Sequence, residues 1–276
     1  MRARARVDGR PIARSLLGGG YDVHGWNRSS LDAPLTAGIP LCVTMAAAAE
    51  ADVSLLVLTD SDAVDAVLRD LEPLLRPGQV VVDMGTSDPA RSSAHAERLA
   101  TSGIGWVDAP VSGGPEGAET RRLAIMAGGT EDDCRTVEPL LSSLGGFVRV
   151  GGAGAGHTVK LVNQVIVGLT IEAVAEAIAL AETAQLDPRL AQRALAGGSA
   201  DSRILQAHGT RMIERDFAAR ATVRTMLKEA RLALALAESV GVELPHLADL
   251  ADRWDRLVAD GQGAADCAAL ISLLTD

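Results

Sequence analysis

Between residues 21 and 151 short apolar runs return at near-regular intervals. They are YDVHGW (21–26), DVSLLVL (52–58), QVVVDM (79–84), GWVDAPV (105–111), LAIMAGG (123–129) and FVRVG (147–151). Runs of this length, rich in Val, Leu and Ile and bounded by Gly, Asp or Pro, read as buried strands. Stretches with helical periodicity fill intervals at 61–75, 88–101 and 131–143. Strands alternating with helices predict βαβ units and a mostly parallel sheet.

The strand rhythm stops after residue 155. The segment 156–185, GHTVKLVNQVIVGLTIEAVAEAIALAETAQ, holds no Pro and one internal Gly. It predicts a single helix of about 30 residues, roughly 45 Å long. Leu161, Val162, Val165, Ile166, Leu169, Val174 and Ile178 run nearly all the way round it. A helix of that kind is buried on most sides, here between two domains and between subunits. Asp187-Pro188 starts the next helix, and helical patterns continue to the end. The expected architecture is α/β, a doubly wound sheet over residues 1–153, followed by an all-α domain over 154–276 entered by the long helix.

The N-terminal sequence MRARARVDGRPIARS bears on what the sheet binds. A dinucleotide-binding (Rossmann-type) fold needs a strand, then G-x-G-x-x-G, then a helix, with a ribose-reading residue about 20 positions on. Gly9 stands where the third glycine belongs, and Asn27-Arg28-Ser29 follows the second strand. An arginine there suits a 2′-phosphate, favouring NADP over NAD; a solvated loop arginine is the other reading. By spacing from Gly9, the first two glycines fall at Arg4 and Arg6. A central parallel strand is buried on both faces, and unpaired guanidiniums there cost several kcal/mol each. The first strand and glycine loop are therefore expected to be degenerate, and cofactor binding weak. A start or reading frame that differs upstream would also account for the break.

Two further stretches carry candidate chemistry. DAPVSGGPEGAE (108–119) ends a strand in a Ser-Gly-Gly turn, where backbone N–H groups and a hydroxyl can close around a carboxylate; an ordinary glycine-rich turn is the alternative. In GGAGAGHTVKLVNQ (151–164) a glycine run leads into the long helix, with Lys160, Asn163 and Gln164 on one face. A lysine desolvated on such a face is suited to general acid–base work at neutral pH. A lysine snorkelling from the helix start is the alternative.

Composition narrows the field. Hydrophobic residues make up 47 % of the 276 but aromatics only 2 %, so the core is built from Ala, Val, Leu and Ile. A net charge of −10 speaks against a nucleic-acid partner, which needs a basic face. Cys42, Cys134 and Cys267 are far apart and read as free thiols. No His/Asp/Glu cluster has ligand spacing, so no metal is expected. No apolar run is expected to approach the length of a membrane span, and the Arg-rich start lacks the apolar stretch of a secretory signal. A soluble, cytoplasmic protein is expected.

Taken together and in this order, the motifs resemble the β-hydroxyacid dehydrogenase family, which includes 3-hydroxyisobutyrate dehydrogenase and tartronate semialdehyde (2-hydroxy-3-oxopropionate) reductase. The likeness runs from about Gly9 to Leu274. DAPVSGGPEGAE looks like the substrate-binding signature, and GAGHTVKLVNQVIV (154–167) like the catalytic one. NQVIVGLTIEAVAEAIALAETAQLDP and LVADGQGAADCAAL are most similar to the tartronate semialdehyde reductases. The resemblance implies Lys160 as general acid/base, with Ser112, Gly113 and Gly114 holding a substrate carboxylate. It implies Asn163 near the reacting carbon with Gln164 beside it. Leu58, Thr59 and Thr86 would line the cofactor, together with Gly9, Asn27, Arg28 and Ser29. Lys228 matches a lysine near the nicotinamide, although the family has Lys-Asp where this chain has Lys228-Glu229. Arg121 and Arg122 replace the family's Gly and Thr, which would reshape the loop or add positive charge at the substrate mouth.

The resemblance implies hydride transfer between NAD(P) and a small 3-hydroxyacid or semialdehyde, in a homodimer or homotetramer joined through the α-domain. Imine reductases share the scaffold but usually carry another residue at the lysine position. A cofactor-impaired, non-catalytic scaffold is the other alternative.

Overall fold

The computed structural model describes the backbone of Arg2–Ala3, residues 9–28 and residues 38–275. Arg4, Arg6 and Ser29 lie outside the described residues, as do the side chains of the first strand. The chain forms two compact units, Met1–Lys160 and Leu161–Asp276. The division falls within the long helix rather than ahead of it. The cause is a carboxylate on the sheet that holds the helix's first turn.

The N-terminal unit contains strands β1 (Arg2–Ala3), β2 (Asp22–Val23), β3 (Val53–Leu56), β4 (Val80–Asp83), β5 (Gly105–Asp108), β6 (Val111–Ser112), β7 (Leu123–Gly129) and β8 (Gly145–Gly151). Its helices include α1 (Arg10–Gly18), α2 (Met45–Ala48), α3 (Ser61–Leu71), α4 (Pro89–Ala100), α5 (Gly114–Glu119) and α6 (Glu131–Ser142). β1 pairs in parallel with β2 and lies beside β3, the place of a first strand in a doubly wound sheet. The remaining order is β3-β4-β5-β7-β6, with β8 on β7.

The central strands β3 and β4 are buried at every position, with side chains alternating between two covered faces. Val53, Leu55, Val80, Val82 and Val107 pack with Ile12 and Leu16 of α1 and Val137, Leu140 and Leu141 of α6. Leu56, Val81 and Trp106 pack with Val64, Leu68 and Leu71 of α3 and Leu99 of α4. Both faces are thus covered by helices, which is why these strands read as continuous apolar runs.

The sequence reading needs correction at several points. GWVDAPV is not one strand: it breaks after Asp108, where Pro110 has no N–H to give a ladder, and resumes as β6. The sheet is mixed, since β7 runs antiparallel to β5 and β6 while its pairing with β8 is parallel. The second strand covers only two residues of 21–26.

The C-terminal unit is helical: most of α7 (Ala155–Thr183), then α8 (Pro188–Leu195), α9 (Thr210–Glu214), α10 (Val223–Ser239), α11 (Pro245–Ala259) and α12 (Ser272–Thr275). Leu161, Ile171, Met212, Leu227, Leu250 and Ile271 share one core with the fully buried Trp254. Gly168, the one internal glycine of α7, lies under that indole: a Cβ there would stand 3.1 Å from Trp254 Cη2. α7 is less enclosed than its composition suggests. Val162, Ile166 and Leu180 are exposed, because an inward stripe suffices to fill the core. Contrary to the sequence expectation, α7 is long and apolar enough to cross a membrane by length and composition; 44 % of its most apolar window is buried inside the fold.

Asp266 ties this unit together. It is fully buried, accepting N–H groups of Ala221 and Ala268 and facing His208 and Arg211. Burial alone would raise its pKa, but the His208 ring, the two amides and Arg211 hold it at about 2, against an ordinary 3.8. The stabilisation is complete above the ordinary carboxylate range and lost as pH falls through about 2. It is worth roughly 2 kcal/mol. Asp266→Asn should therefore lower the thermal midpoint near neutrality and lose most of that effect at strongly acidic pH. Equal losses at both pH values would contradict this linkage.

Candidate active site

Three helices at the strand ends start without a side chain of their own to cap them. Asp60, Asp88 and Thr130 cap α3, α4 and α6 through their side-chain oxygens. α1 starts at Gly9, which has no side chain, and Pro11 occupies its first turn. N–H groups without a side-chain cap suit an anion. Beyond β2 and β3, a half-open cleft is lined by Trp26, Asn27, Arg28, Met45, Ala48 and Leu58, among others. Its lining is mostly apolar, with Asn27 and Arg28 among its polar members. Thr59 is exposed, and its hydroxyl bonds the α3 cap Asp60. Thr86 is buried in the loop after β4. Gly85 brings that loop against β3, since a Cβ there would stand 2.9 Å from the Leu58 carbonyl. Leu58 and Thr86 thus lie just beyond the ends of the adjacent strands β3 and β4, the side on which open α/β sheets bind ligands.

The Ser-Gly-Gly turn joins β6 to α5. Gly113 and Gly114 have φ of 129° and 63°, which side chains other than hydrogen rarely tolerate. Ser112 and Gly113 are half-buried and Gly114 is exposed, an open turn able to receive a carboxylate. Arg121 does not face such a guest. It takes a left-handed conformation and donates to the Ser15 carbonyl in α1, at 3.1 Å. It braces the helix that begins at Gly9.

The third uncapped helix is α7. Its cap comes from β5: Asp108 Oδ1 accepts the Gly154 N–H at 2.7 Å and Oδ2 the His157 N–H at 2.9 Å. Gly156 lets the backbone come this close, because a Cβ there would lie 2.4 Å from the carbonyls of both Asp108 and Met126. Burial pushes the Asp108 carboxyl upward, opposed by His157 and the two amides. Asp83, at the end of β4, accepts from Gly85 N–H and the Ser87 hydroxyl and so shapes the loop carrying Thr86. Lys160 follows the turn that Asp108 secures, three residues after His157, and is only 8 % exposed. Reading the sequence missed Asp83, Asp108 and His157 as site residues. The available signal was a carboxylate closing two apolar strands.

In the C-terminal unit Asn163 donates to Gln164 Oε1 at 2.6 Å, and Gln164 Nε2 donates in turn to Glu229. Gln164 and Glu229 are buried. Gln164 therefore orients Asn163, and Glu229 anchors Gln164. The neighbouring Lys228 lines a separate hollow with Arg224, Arg231 and Asp255. His208, Asp266 and Cys267 also approach one another closely enough to share an ion, which scattered sequence positions gave no reason to expect. The Asp266 oxygens are engaged by amides and faced by Arg211.

Comparison with known proteins finds family models and relatives that cover most of the chain. A model of the NAD-binding domain of 6-phosphogluconate dehydrogenase matches residues 7–183. A model of the NAD-binding region of NADP-dependent 3-hydroxyisobutyrate dehydrogenase matches residues 154–274. The 2-hydroxy-3-oxopropionate reductase of Escherichia coli (strain K12) is 35 % identical over 274 residues, covering 97 % of this chain and 94 % of its own. The 2-(hydroxymethyl)glutarate dehydrogenase of Eubacterium barkeri is 31 % identical, covering 96 % and 91 %. Among solved structures, 3-hydroxyisobutyrate dehydrogenase from Salmonella typhimurium superposes with a TM-score of 0.90 at 26 % identity, covering 99 % of each chain. A Mycobacterium tuberculosis 3-hydroxyisobutyrate dehydrogenase with L-serine gives 0.87 at 27 % identity, covering 100 % of this chain and 99 % of that one.

Proposed function

The chain belongs to the β-hydroxyacid dehydrogenase family of NAD(P)-dependent oxidoreductases acting on CH–OH groups, and on that footing we propose that it interconverts a small 3-hydroxyacid and its semialdehyde with Lys160 as general acid and base. The observation that carries this reading is a nearly buried lysine on a helix whose start is fixed by a buried carboxylate. The favoured substrate is 2-hydroxy-3-oxopropionate (tartronate semialdehyde), with 3-hydroxyisobutyrate chemistry next. The E. coli reductase supports the first. The relative crystallised with L-serine, itself a β-hydroxy carboxylate, supports the general shape.

When bound, the reduced nicotinamide supplies hydride to the carbonyl carbon. Ser112 and the N–H groups of Gly113 and Gly114 hold the substrate carboxylate. Asn163, its amide turned by Gln164, bonds the substrate beside the reacting carbon. The Lys160 ammonium gives its proton to the oxygen as it becomes an alkoxide; in the reverse direction the neutral amine takes the hydroxyl proton. Holding the reacting groups in place contributes much of the rate, and the proton transfer about 10²–10⁴-fold.

A panel of tartronate semialdehyde, methylmalonate semialdehyde, succinic semialdehyde and glyoxylate should give the highest kcat/KM for the first. Lys160→Ala should keep the fold and lose about 10²–10⁴-fold in turnover. Near wild-type rates in that variant would reject the acid–base role.

Arg28 in the adenosine cleft favours NADPH. Arg28→Ala should weaken NADPH binding roughly tenfold or more, the scale of one charged hydrogen bond, and leave NADH unchanged. Nicotinamide fluorescence titration measures both, and equal changes would remove Arg28 from the phosphate site. With Arg4 and Arg6 where the family carries glycines, affinity for either cofactor is expected to be weak. Tight saturation by NADPH would contradict that.

The exposed Val162, Ile166 and Leu180 support self-association through the α unit, into a homodimer or homotetramer. Ile166→Glu should shift the mass seen by light scattering towards the monomer. A monomeric wild type would reject it.

A further inference from the structure

Three ionisable side chains of the N-terminal unit take no part in the chemistry assigned above. Asp83 closes β4, Asp108 closes β5 and His157 stands on the first turn of α7; each is fully buried. The imidazole lies between the carboxylates, with Nε2 3.5 Å from Asp83 Oδ2 and Nδ1 3.9 Å from Asp108 Oδ2. Neither ring nitrogen has a hydrogen-bond partner among the described residues. The ring is therefore held by packing and by the field of two flanking carboxylates.

This is a costly way to begin a helix. Burying ionisable groups is unfavourable until their interactions offset it, whereas a local Ser, Thr or Asp cap stabilises a helix start with no such penalty. α3, α4 and α6 use local caps. What the long-range arrangement supplies is orientation. Asp108 fixes the Gly154 and His157 amides to the sheet. Gly156 seats the backbone on the Asp108 and Met126 carbonyls. Asp83 and Asp108 flank the ring from two strands. Rotation of the first turn is set from several directions. Lys160 comes three residues after His157, and on a helix such residues are neighbours about 5–6 Å apart at Cβ.

We propose that Asp83, His157 and Asp108 form a buried positioning triad that fixes the first turn of α7 and thereby places Lys160 for proton transfer. The proposal rests on reading Lys160 as the acid–base group. The three residues touch neither substrate nor cofactor; they act through the lysine. Because a misplacement of about 1 Å can cost on the order of a hundredfold in rate, small losses of order in this turn reach kcat without loss of substrate binding.

The test is a mutant cycle. His157→Gln removes the ring and keeps an amide that can bond one carboxylate. Asp108→Asn leaves one carbonyl oxygen where two oxygens served two N–H groups. Each should lower kcat roughly ten- to a hundredfold, with KM for the semialdehyde changed by less than about threefold. In the Lys160→Ala background the same changes should cost nothing further, since there is no lysine left to misplace. If Asp108→Asn does not fold, His157→Gln, which leaves the Asp108 cap in place, decides the matter alone. Losses repeated in full without Lys160, an unchanged kcat, or a raised KM at constant kcat would overturn the triad's role. Full activity in Lys160→Ala alone would overturn the acid–base reading and this proposal with it. The two failures are distinguishable, because the first occurs with a slow Lys160→Ala and the second with a fast one.

Discussion

The carboxylate of Asp108 receives two N–H groups at the start of α7, and much of the N-terminal unit is arranged around that contact. It makes the last residue of a sheet strand the cap of a helix 46 residues further on. Capping is ordinarily local, worth about 1 kcal/mol and indifferent to the rest of the fold. Here it requires that β5 end in an aspartate, that Gly156 carry no Cβ, and that the oxygen-rich interior be shared with Asp83 and His157. The first turn of α7 is registered against the sheet rather than merely attached to it.

The same economy appears at the other ends of the sheet. Gly9 and Gly113 begin helices with no side chain to satisfy their first amides, leaving donors for anionic groups. The neighbouring helices α3, α4 and α6 are capped by Asp60, Asp88 and Thr130. Arg121 has a structural duty: its guanidinium meets the Ser15 carbonyl of α1, so a departure from the family's small residues serves as a brace.

In the C-terminal unit, the substitution of Glu229 for the family's aspartate has a role in a chain of side chains. Glu229 holds Gln164, and Gln164 turns Asn163. Asn163 is thus oriented through a residue 65 positions from its neighbour Gln164. Its precision depends on the packing of α10 against α7 within that unit, where Leu161, Met226, Leu227 and Ala230 share one core.

Much of this was legible along the chain. Valine- and leucine-rich runs of four to eight residues announced the sheet because parallel strands covered on both faces have no polar side to show. The long helix was evident from its uninterrupted apolar content, and Lys160, Asn163 and the Ser-Gly-Gly turn from short motifs whose residues lie close in sequence. The split of 105–111 into β5 and β6, the antiparallel pairings of β7 and the exposure of Val162 and Ile166 were not legible. They depend on which strands become neighbours and on how much of a helix one core can cover. Asp83, Asp108 and His157 each stood in plain view inside a recognisable motif. Only the tertiary structure decided that they meet, because the electrostatic attraction that couples them acts over a few ångströms of buried space and leaves no period in the sequence.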